Sequence, residues 1–438
     1  MNRLHPPGPV LEIADQLENA GFEAWCVGGA IRDVLLGHPH LDWDLATSAT
    51  PTQLRDLFGG RRTIPIGIEF GTVGVLDRTG VMHEVTTFRR DVHTDGRHAV
   101  VEFGVSLDDD LARRDFTINA IAYSPRRGET RDPFGGVRDI GLKLIRAVGD
   151  PEARMREDRL RALRAIRFAA RFDFAIDDAT RVAIVSSAPH LGRLSAERVK
   201  QELDKTLEQV KCPSRALEMW QAVGAFRTLV PSLADLPAES FRVPDYLALP
   251  GPKSRPARRA NRFAGLFLRL TPQAAGNVLG GLRASKMETQ AVVDVIDRWN
   301  RLGPTIRDEL VAAPLPTDAQ IRVWVASLGR LHIGPFMRVA AAAWATARSN
   351  GHAAPSAMSV GRVYRRMLRS AFRDPIDLGS LAVDGDDLRR SGIPPGPGLG
   401  KILQALLVAV IDDPARNTTE WLLHEAQRQH DRLQRGTR

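Results

Sequence analysis

The chain has 438 residues, 43% hydrophobic and 26% charged, with 37 Gly and 28 Pro, which excludes a disordered or low-complexity protein. Lys and Arg number 61 against 52 Asp and Glu, a formal net charge of +9 that points toward polyanions, nucleic acid above all. Two cysteines, Cys26 and Cys212, without CxxC or Cys/His spacing, exclude a disulfide scaffold and a zinc module. The opening MNRLHPPGPV has no apolar signal core and no run is long enough to span a membrane, so the expectation is a soluble cytoplasmic protein with no membrane partner.

In chain order, the first 125 residues alternate strand and helix patterns. Val10–Ala20 has helical spacing, Glu23–Val27 reads as a strand and Ala30–Leu36 as a short helix. Leu41–Ala46, Thr72–Leu76 and Val81–Phe88 read as strands, and Phe116–Tyr123 as a helix. Beyond about Pro151 strand signals vanish. Glu152–Phe172, Ala196–Val210, Pro213–Val223 and most of the remainder are helical, with breaks at Pro231–Pro256, Gly303–Pro316, Gly351–Pro355 and Gly392–Gly400. The expected class is α+β: a mixed-sheet head over 1–125, a helical neck over 126–230 and a helical body and tail over 231–438.

Gly28-Gly29-Ala30-Ile31-Arg32-Asp33 follows a strand and opens a helix. Paired glycines let backbone approach a ligand, free N–H groups at a helix start hold phosphate oxygens, and Arg32 lies on the first turn. The same dipeptide also suits an ordinary strand–helix turn. About ten residues on, Asp42-Trp43-Asp44 places two carboxylates on one strand face, with Leu41, Trp43 and Leu45 on the other. Alone, this is equally an acidic strand face. After GGxxRD it reads as a site for two Mg²⁺ ions, which take oxygen ligands. Glu84, on the face of Met82 and Thr86 in a neighbouring strand, is the candidate third carboxylate, or else an exposed strand glutamate.

The ordered set GGAIRD, DWD, IGIEFGTV, EVTTFR, RRDFTINA (113–120), DPFGG (132–136) and EDRLRALRAIRF (157–168) resembles the bacterial class II CCA-adding tRNA nucleotidyltransferases of the polymerase β superfamily. The resemblance is dense over about 20–210 and returns at Leu381–Asn417. It implies a polymerase-β-like head, metal binding by Asp42 and Asp44, and triphosphate binding by Gly28, Gly29 and Arg32. It also implies nucleotide contact by Arg114 with Asp115 close by, a base-holding helix near Glu157, and tRNA, CTP and ATP as partners. The family pattern has Pro where this chain has Arg159, a first-turn position that accepts either. The stretch Arg90–Asp110 matches a loop that in these enzymes is flexible and serves the switch from C to A addition.

The helix carries a physical reading of its own. Asp158 and Arg161 lie at i, i+3, with Arg164 and Arg167 continuing the row. Cytosine and adenine each present an amino donor beside a ring-nitrogen acceptor, and guanine and uracil the reverse. One Asp accepting and one Arg donating can therefore select C and A without a template. In an anonymous helix the same pair is a surface ion pair.

Two basic runs could follow an RNA backbone, or be a solvated helix face and a linker respectively: Arg362, Arg365, Arg366, Arg369 and Arg373 at helical spacing, and Lys253–Arg262. Glu197 and Glu202 read as braces of the neck. His430-Asp431, without His partners, reads as a helix end rather than a phosphohydrolase site. A bacterial poly(A) polymerase, a split CC- or A-adding enzyme and a non-catalytic RNA-binding relative are the alternatives.

Overall fold

The computed structural model describes residues 4–38, 43–94, 99–251, 255–312 and 314–435. Contacts divide the chain into two compact units, Met1–Leu236 and Pro237–Arg438.

The first unit opens with α1 (Gly8–Asn19), β1 (Ala24–Val27), α2 (Gly29–Leu35), β2 (Asp44–Thr47) and α3 (Pro51–Phe58). Strands β3 (Thr63–Gly67), β4 (Thr72–Leu76), β5 (Met82–Thr87), β6 (Arg89–Thr94) and β7 (Ala99–Phe103) follow, then α4 (Leu107–Ala112), β8 (Ala122–Ser124) and β9 (Glu129–Arg131). Seven strands form one sheet in the order β3-β4-β5-β2-β1-β8-β9. The β2–β5 pair is parallel, with Leu45 opposite Val85, and the other pairs in the sheet are antiparallel.

Both sheet faces are covered, which is why β1 reads as an unbroken apolar run. Ala24 and Cys26 join the core built with α1 and α3, whereas Trp25 and Val27 join Ala46, Phe88, Leu107 and Leu111 opposite. Trp43 and Leu45 fall in the first of these cores, so Asp44 takes the face of Ala46, as the alternation required.

The unit continues through α5 (Gly136–Gly141), β10 (Leu144–Ile145), α6 (Pro151–Glu157), α7 (Leu160–Phe172), β11 (Ala175–Ile176), α8 (Asp178–Ser187), α9 (Ala196–Gln209), α10 (Ser214–Ala222) and α11 (Ala225–Leu229). Four expectations need correction here. The Phe116–Tyr123 helix is a short 3₁₀ turn, Thr117–Asn119, running into β8, because pairing of β8 with β1 outweighs the helical pattern. The helix expected over Glu152–Phe172 breaks at Asp158, whose backbone is extended (φ −146°, ψ 104°) and whose Oδ1 accepts from Leu160 N at 3.1 Å. Arg159 opens α7 in helical geometry, as its family position allows. Strands do not vanish after Pro151, since β11 pairs in parallel with β10. The stretch Arg90–Asp110 is no irregular loop but mostly the β6–β7 ribbon followed by α4; Gly96 and His98 lie outside the described residues.

The second unit is helical: α12 (Arg255–Leu266), α13 (Pro272–Gly281), α14 (Lys286–Val311), α15 (Asp318–Leu328), α16 (Ile333–Ser349), α17 (Ala357–Arg373), α18 (Gly385–Arg390), α19 (Pro397–Asp412) and α20 (Thr419–Arg435). Its cores gather Trp324, Phe336, Trp344, Val363 and Met367, and separately Leu388, Ile402, Leu406 and Leu422. The break expected from Gly303 does not occur, and α14 runs through Gly303-Pro304. Glycine before proline has no Cβ to clash with the proline ring, so the helix persists. The basic run through Arg262 is not a linker from Arg255 on, because α12 starts there.

Candidate active site

The turn after β1 sets the floor of the site. Gly28 has φ +78°, and a Cβ on it would sit 3.1 Å from Arg114 Nη1, so a side chain there would meet both strain and a guanidinium. Gly29 opens α2, which carries Arg32 inward to 5% exposure. Arg32 is held on all sides. Its Nε donates to Asp33 Oδ1 at 2.8 Å and its Nη1 to Asn119 Oδ1, and its guanidinium carbon lies 5.0 and 4.8 Å from the ring centroids of Phe168 and Phe172. Those rings are stacked, 5.8 Å apart and 9° from parallel, so α7 offers an aromatic bed one helical turn long.

Arg114 reaches the site from the end of α4. Its Nη2 donates to Asp110 Oδ2 at 3.1 Å and its Nη1 to Asn119 O at 3.4 Å, while its buried Nε has no hydrogen-bond partner. Asp110, 1% exposed, also accepts from Arg113 Nε at 3.0 Å, and these two arginine charges outweigh its burial and keep its carboxyl below the usual range. Asp115 accepts from Arg164 Nε and Nη2 at 2.8 and 2.7 Å and from Asn119 Nδ2 at 2.8 Å. Burial pushes the Asp115 carboxyl up, but the Arg164 charge and these hydrogen bonds pull it further down; Arg164 is correspondingly raised, chiefly by Asp115.

These groups line one cavity of about 390 Å³: Gly28, Gly29, Arg32, Asp44, Arg113, Arg114, Asp115, Asn119, Asp158, Arg161 and Arg164. Five guanidinium groups face three carboxylates, a net cationic lining suited to a polyphosphate. Asp158 and Arg161 are both in the wall but do not pair with each other. Asp158 Oδ2 accepts from Arg198 Nη2 at 2.7 Å, while Arg161 donates to Glu157 Oε2 at 2.6 Å and to the carbonyls of Arg154 and Arg113 at 3.1 and 3.0 Å.

Arg167 is not brought to the cavity. It is 3% exposed, bonded to Glu202 and to Gln209, and burial lowers its pKa despite the Glu202 charge, so it braces α7 against α9. Glu202, 1% exposed, is the brace the sequence suggested. Glu84 is exposed and outside the cavity wall, although the Leu45–Val85 register sets it level with Asp44 on the adjacent strand. Asp42 lies outside the described residues. Arg113, Asn119 and the two phenylalanines were missed as site residues. The RRDFTINA run held the signal for Asn119, four positions after Asp115, and aromatic residues at i, i+4 on α7 held the other.

Among the described residues no group of three or more His, Cys, Asp or Glu is arranged to hold a metal. The acidic donors in the cavity wall are carboxylate oxygens, without thiol or imidazole, a chemistry that fits a hard cation at Asp44. Cys26, on the strand beside β2, is no competitor. Burial, helped by the Asp44 charge, pushes its thiol up to about 12.

Residues 24–146 match the poly A polymerase head domain family, and residues 173–236 the family described as "Probable RNA and SrmB- binding site of polymerase A". The chain is 34% identical over 419 residues to the CCA-adding enzyme of Latilactobacillus sakei, covering 95% of this chain and 96% of that protein. It is 35% identical to the CCA-adding enzyme of Geobacillus kaustophilus, covering 96% and 98%. The crystal structure of the Bacillus stearothermophilus CCA-adding enzyme in complex with CTP is similar over 98% of this chain and 100% of that one, with TM-score 0.76 and 30% identity. Near-full-length similarity of this order, on a head whose glycine turn, inward arginine and acidic strand surround one cationic cavity, shows that the chain belongs to the family of CCA-adding enzymes.

Proposed function

We propose that this protein adds C, C and A to the 3′ end of tRNA from CTP and ATP, without a template and in the cytoplasm. The carrying observation is the single cavity in which Asp44 faces Arg32, Arg114 and the Asp158/Arg161 wall. In each cycle the tRNA 3′-oxygen forms a bond to the α-phosphorus, the bond from α-phosphorus to the bridging oxygen breaks, and pyrophosphate leaves. Gly28 and Gly29 admit the triphosphate to the start of α2. Arg32 and Arg114 bind its oxygens and oppose the negative charge that grows on the departing pyrophosphate. Asp158 and Arg161 orient the base, and their fixed partners Arg198 and Glu157 keep them in place between additions. Asp42 and Asp44 would hold Mg²⁺, which when bound supplies a Lewis acid for the attacking hydroxyl and the phosphates. Glu84 is proposed as an outer support for Asp44, from its place level with it on β5.

The proposed division of labour is a catalytic head over 1–125, a base-reading neck over 126–230 and a tRNA-binding body and tail over 231–438. Arg362, Arg365, Arg369 and Arg373 are exposed along α17 and fit a phosphate track. Arg366 is instead committed to Asp318 and Pro316 O, and Arg258 and Arg262 to the carbonyls of Leu249 and Leu247, so these stabilise the fold.

The test is incubation of the purified protein with tRNA transcripts ending before CCA, after C and after CC, with each nucleoside triphosphate separately. CTP incorporation on the first two and ATP on the third is expected. ATP polymerisation on all three would instead show poly(A) synthesis, and tRNA binding without incorporation a non-catalytic relative.

A further inference from the structure

The second unit holds a cavity of about 370 Å³ that the chemistry above does not use. Trp299 of α14 and Trp344 of α16 line it, with ring centroids 6.1 Å apart and tilted by 46°. Gly303 follows Trp299 by about one turn, and a Cβ on it would come within 2.7 Å of the indole, so glycine lets that ring lie flat along the helix.

The lining is donor-rich. Trp344 Nε1 and Ser240 Oγ are both buried without a hydrogen-bond partner, in residues 2% and 5% exposed. A buried donor left unmatched is costly, and here two belong to the wall of one cavity. Asn350 also lines it, and since its Oδ1 accepts from Arg242 at 3.3 Å, its Nδ2 remains to donate. Arg269 and Arg307 add guanidinium groups to the wall, Arg269 paired at 3.1 Å with Glu239 of the same wall and Arg307 at 2.8 Å with Asp308. An aliphatic occupant would leave these donors unmatched. A flat heterocycle with in-plane acceptors matches the orphan donors, an attached anion competes with Glu239 and Asp308 for the two guanidinium groups, and the volume is in the range of small-molecule sites.

We propose that this cavity is a second nucleotide site, taking a nucleobase against the tryptophan pair and its phosphate toward Arg307 and Arg269. The base comes either from a free nucleotide or from an unpaired position of an RNA strand, which present the same chemistry. The site is separate from the nucleotide cavity of the first unit and does not depend on its assignment.

The test is photolabelling of the full chain with 8-azidoadenosine 5′-monophosphate, followed by peptide mapping. Label is expected on peptides of α14 or α16, competed by AMP and unchanged in Asp44→Ala. Ala347→Phe, which puts a ring into the cavity from α16, should reduce it roughly tenfold. Ser240→Ala and Trp344→Phe each remove one donor and should weaken AMP competition about fivefold. Ser240→Ala should melt no lower than the parent, because it deletes an unmatched buried hydroxyl. Competition by AMP alone identifies a free nucleotide, and much stronger competition by oligoadenylate a strand. Label confined to peptides within residues 28–164, or label on α14 and α16 that Ala347→Phe leaves unchanged, would overturn the proposal.

Discussion

Arg32 on the first turn of α2 donates to the side-chain oxygen of Asn119, 87 residues further along the chain. The same amide donates to Asp115 at 2.8 Å, and the Asn119 carbonyl accepts from Arg114 at 3.4 Å. One uncharged residue therefore sets the spacing of three charged groups that face the nucleotide cavity. Asn119→Ala should leave the fold intact but free the Nη1 side of Arg32, leaving Asp33 as its one side-chain hydrogen-bond partner among the described residues. A displaced phosphate-binding group costs on the order of tenfold to a hundredfold in kcat/KM. We expect that loss for CTP and ATP addition alike, measured by single-nucleotide incorporation. Equal rates in the variant and the parent would show that Phe168 and Phe172 suffice to fix Arg32.

The Asp115–Arg164 contact gives a pH prediction. The folded Asp115 carboxyl lies below its ordinary value of about 3.9, because the Arg164 charge outweighs burial. A depressed carboxylate contributes stability that is present above the unfolded pKa and lost as pH falls through the folded one. Urea midpoints of the parent should therefore drop below about pH 4, and Asp115→Asn should flatten part of that drop while lowering stability at pH 7. An Asn variant with the parental acid profile would assign the acid sensitivity to other carboxylates.

Much of this was legible in the residues. Alternation fixed the face of Asp44, since Trp43 and Leu45 had to share the core side, and glycines before a helix announced Gly28 and Arg32. Tertiary pairing was not legible: the stretch Phe116–Tyr123 has helical spacing, yet β1 recruits its end, Ala122 and Tyr123, as part of β8. Periodicity likewise continues through Asp158, where a side-chain bond to Leu160 N ends one helix and starts another. Arg167 sits in register with Arg161 and Arg164, and only the position of Glu202 on α9, distant in sequence, tells that it turns away from the cavity. The orphan donors of the second unit gave no sequence signal at all, because an unmatched hydrogen bond is a property of packing.

The β6–β7 ribbon forms its own two-stranded sheet apart from the seven-stranded one. Arg90 and Glu102 pair across it at 2.7 Å, both about half exposed, and Arg89 anchors its base to Phe70 O. Two-stranded ribbons are marginal on their own, which suits the proposal that this element changes place between the C and A stages. Replacing residues 93–99 by two glycines should spare CC addition and reduce the final A by roughly tenfold or more. An equal fall in both steps would mean that the ribbon serves general folding or binding.

The Asp158/Arg161 wall carries the sharpest test of how bases are chosen. The two residues face one cavity without pairing to each other, each held from behind, Asp158 by Arg198 and Arg161 by Glu157. An acceptor and a donor thus line the same cavity, as the proposed reading of the amino group and ring nitrogen shared by C and A requires. A hydrogen-bonding site rejects the opposite edge because its own buried groups would go unmatched, an effect of about 1–3 kcal/mol per group. Asp158→Ala with Arg161→Ala should therefore lower the preference for CTP over UTP, and for ATP over GTP, by at least about tenfold, together with the rate. Asp44→Ala should abolish turnover with both nucleotides while leaving their binding preference as it was. Arg198→Ala, which frees Asp158 without removing it, should fall between the parent and the double variant. The measurement is single-nucleotide addition, and nucleotide binding where turnover is lost, with all four triphosphates at matched concentration. If the double variant keeps the parental ranking of C and A over U and G, the bases are read by other groups.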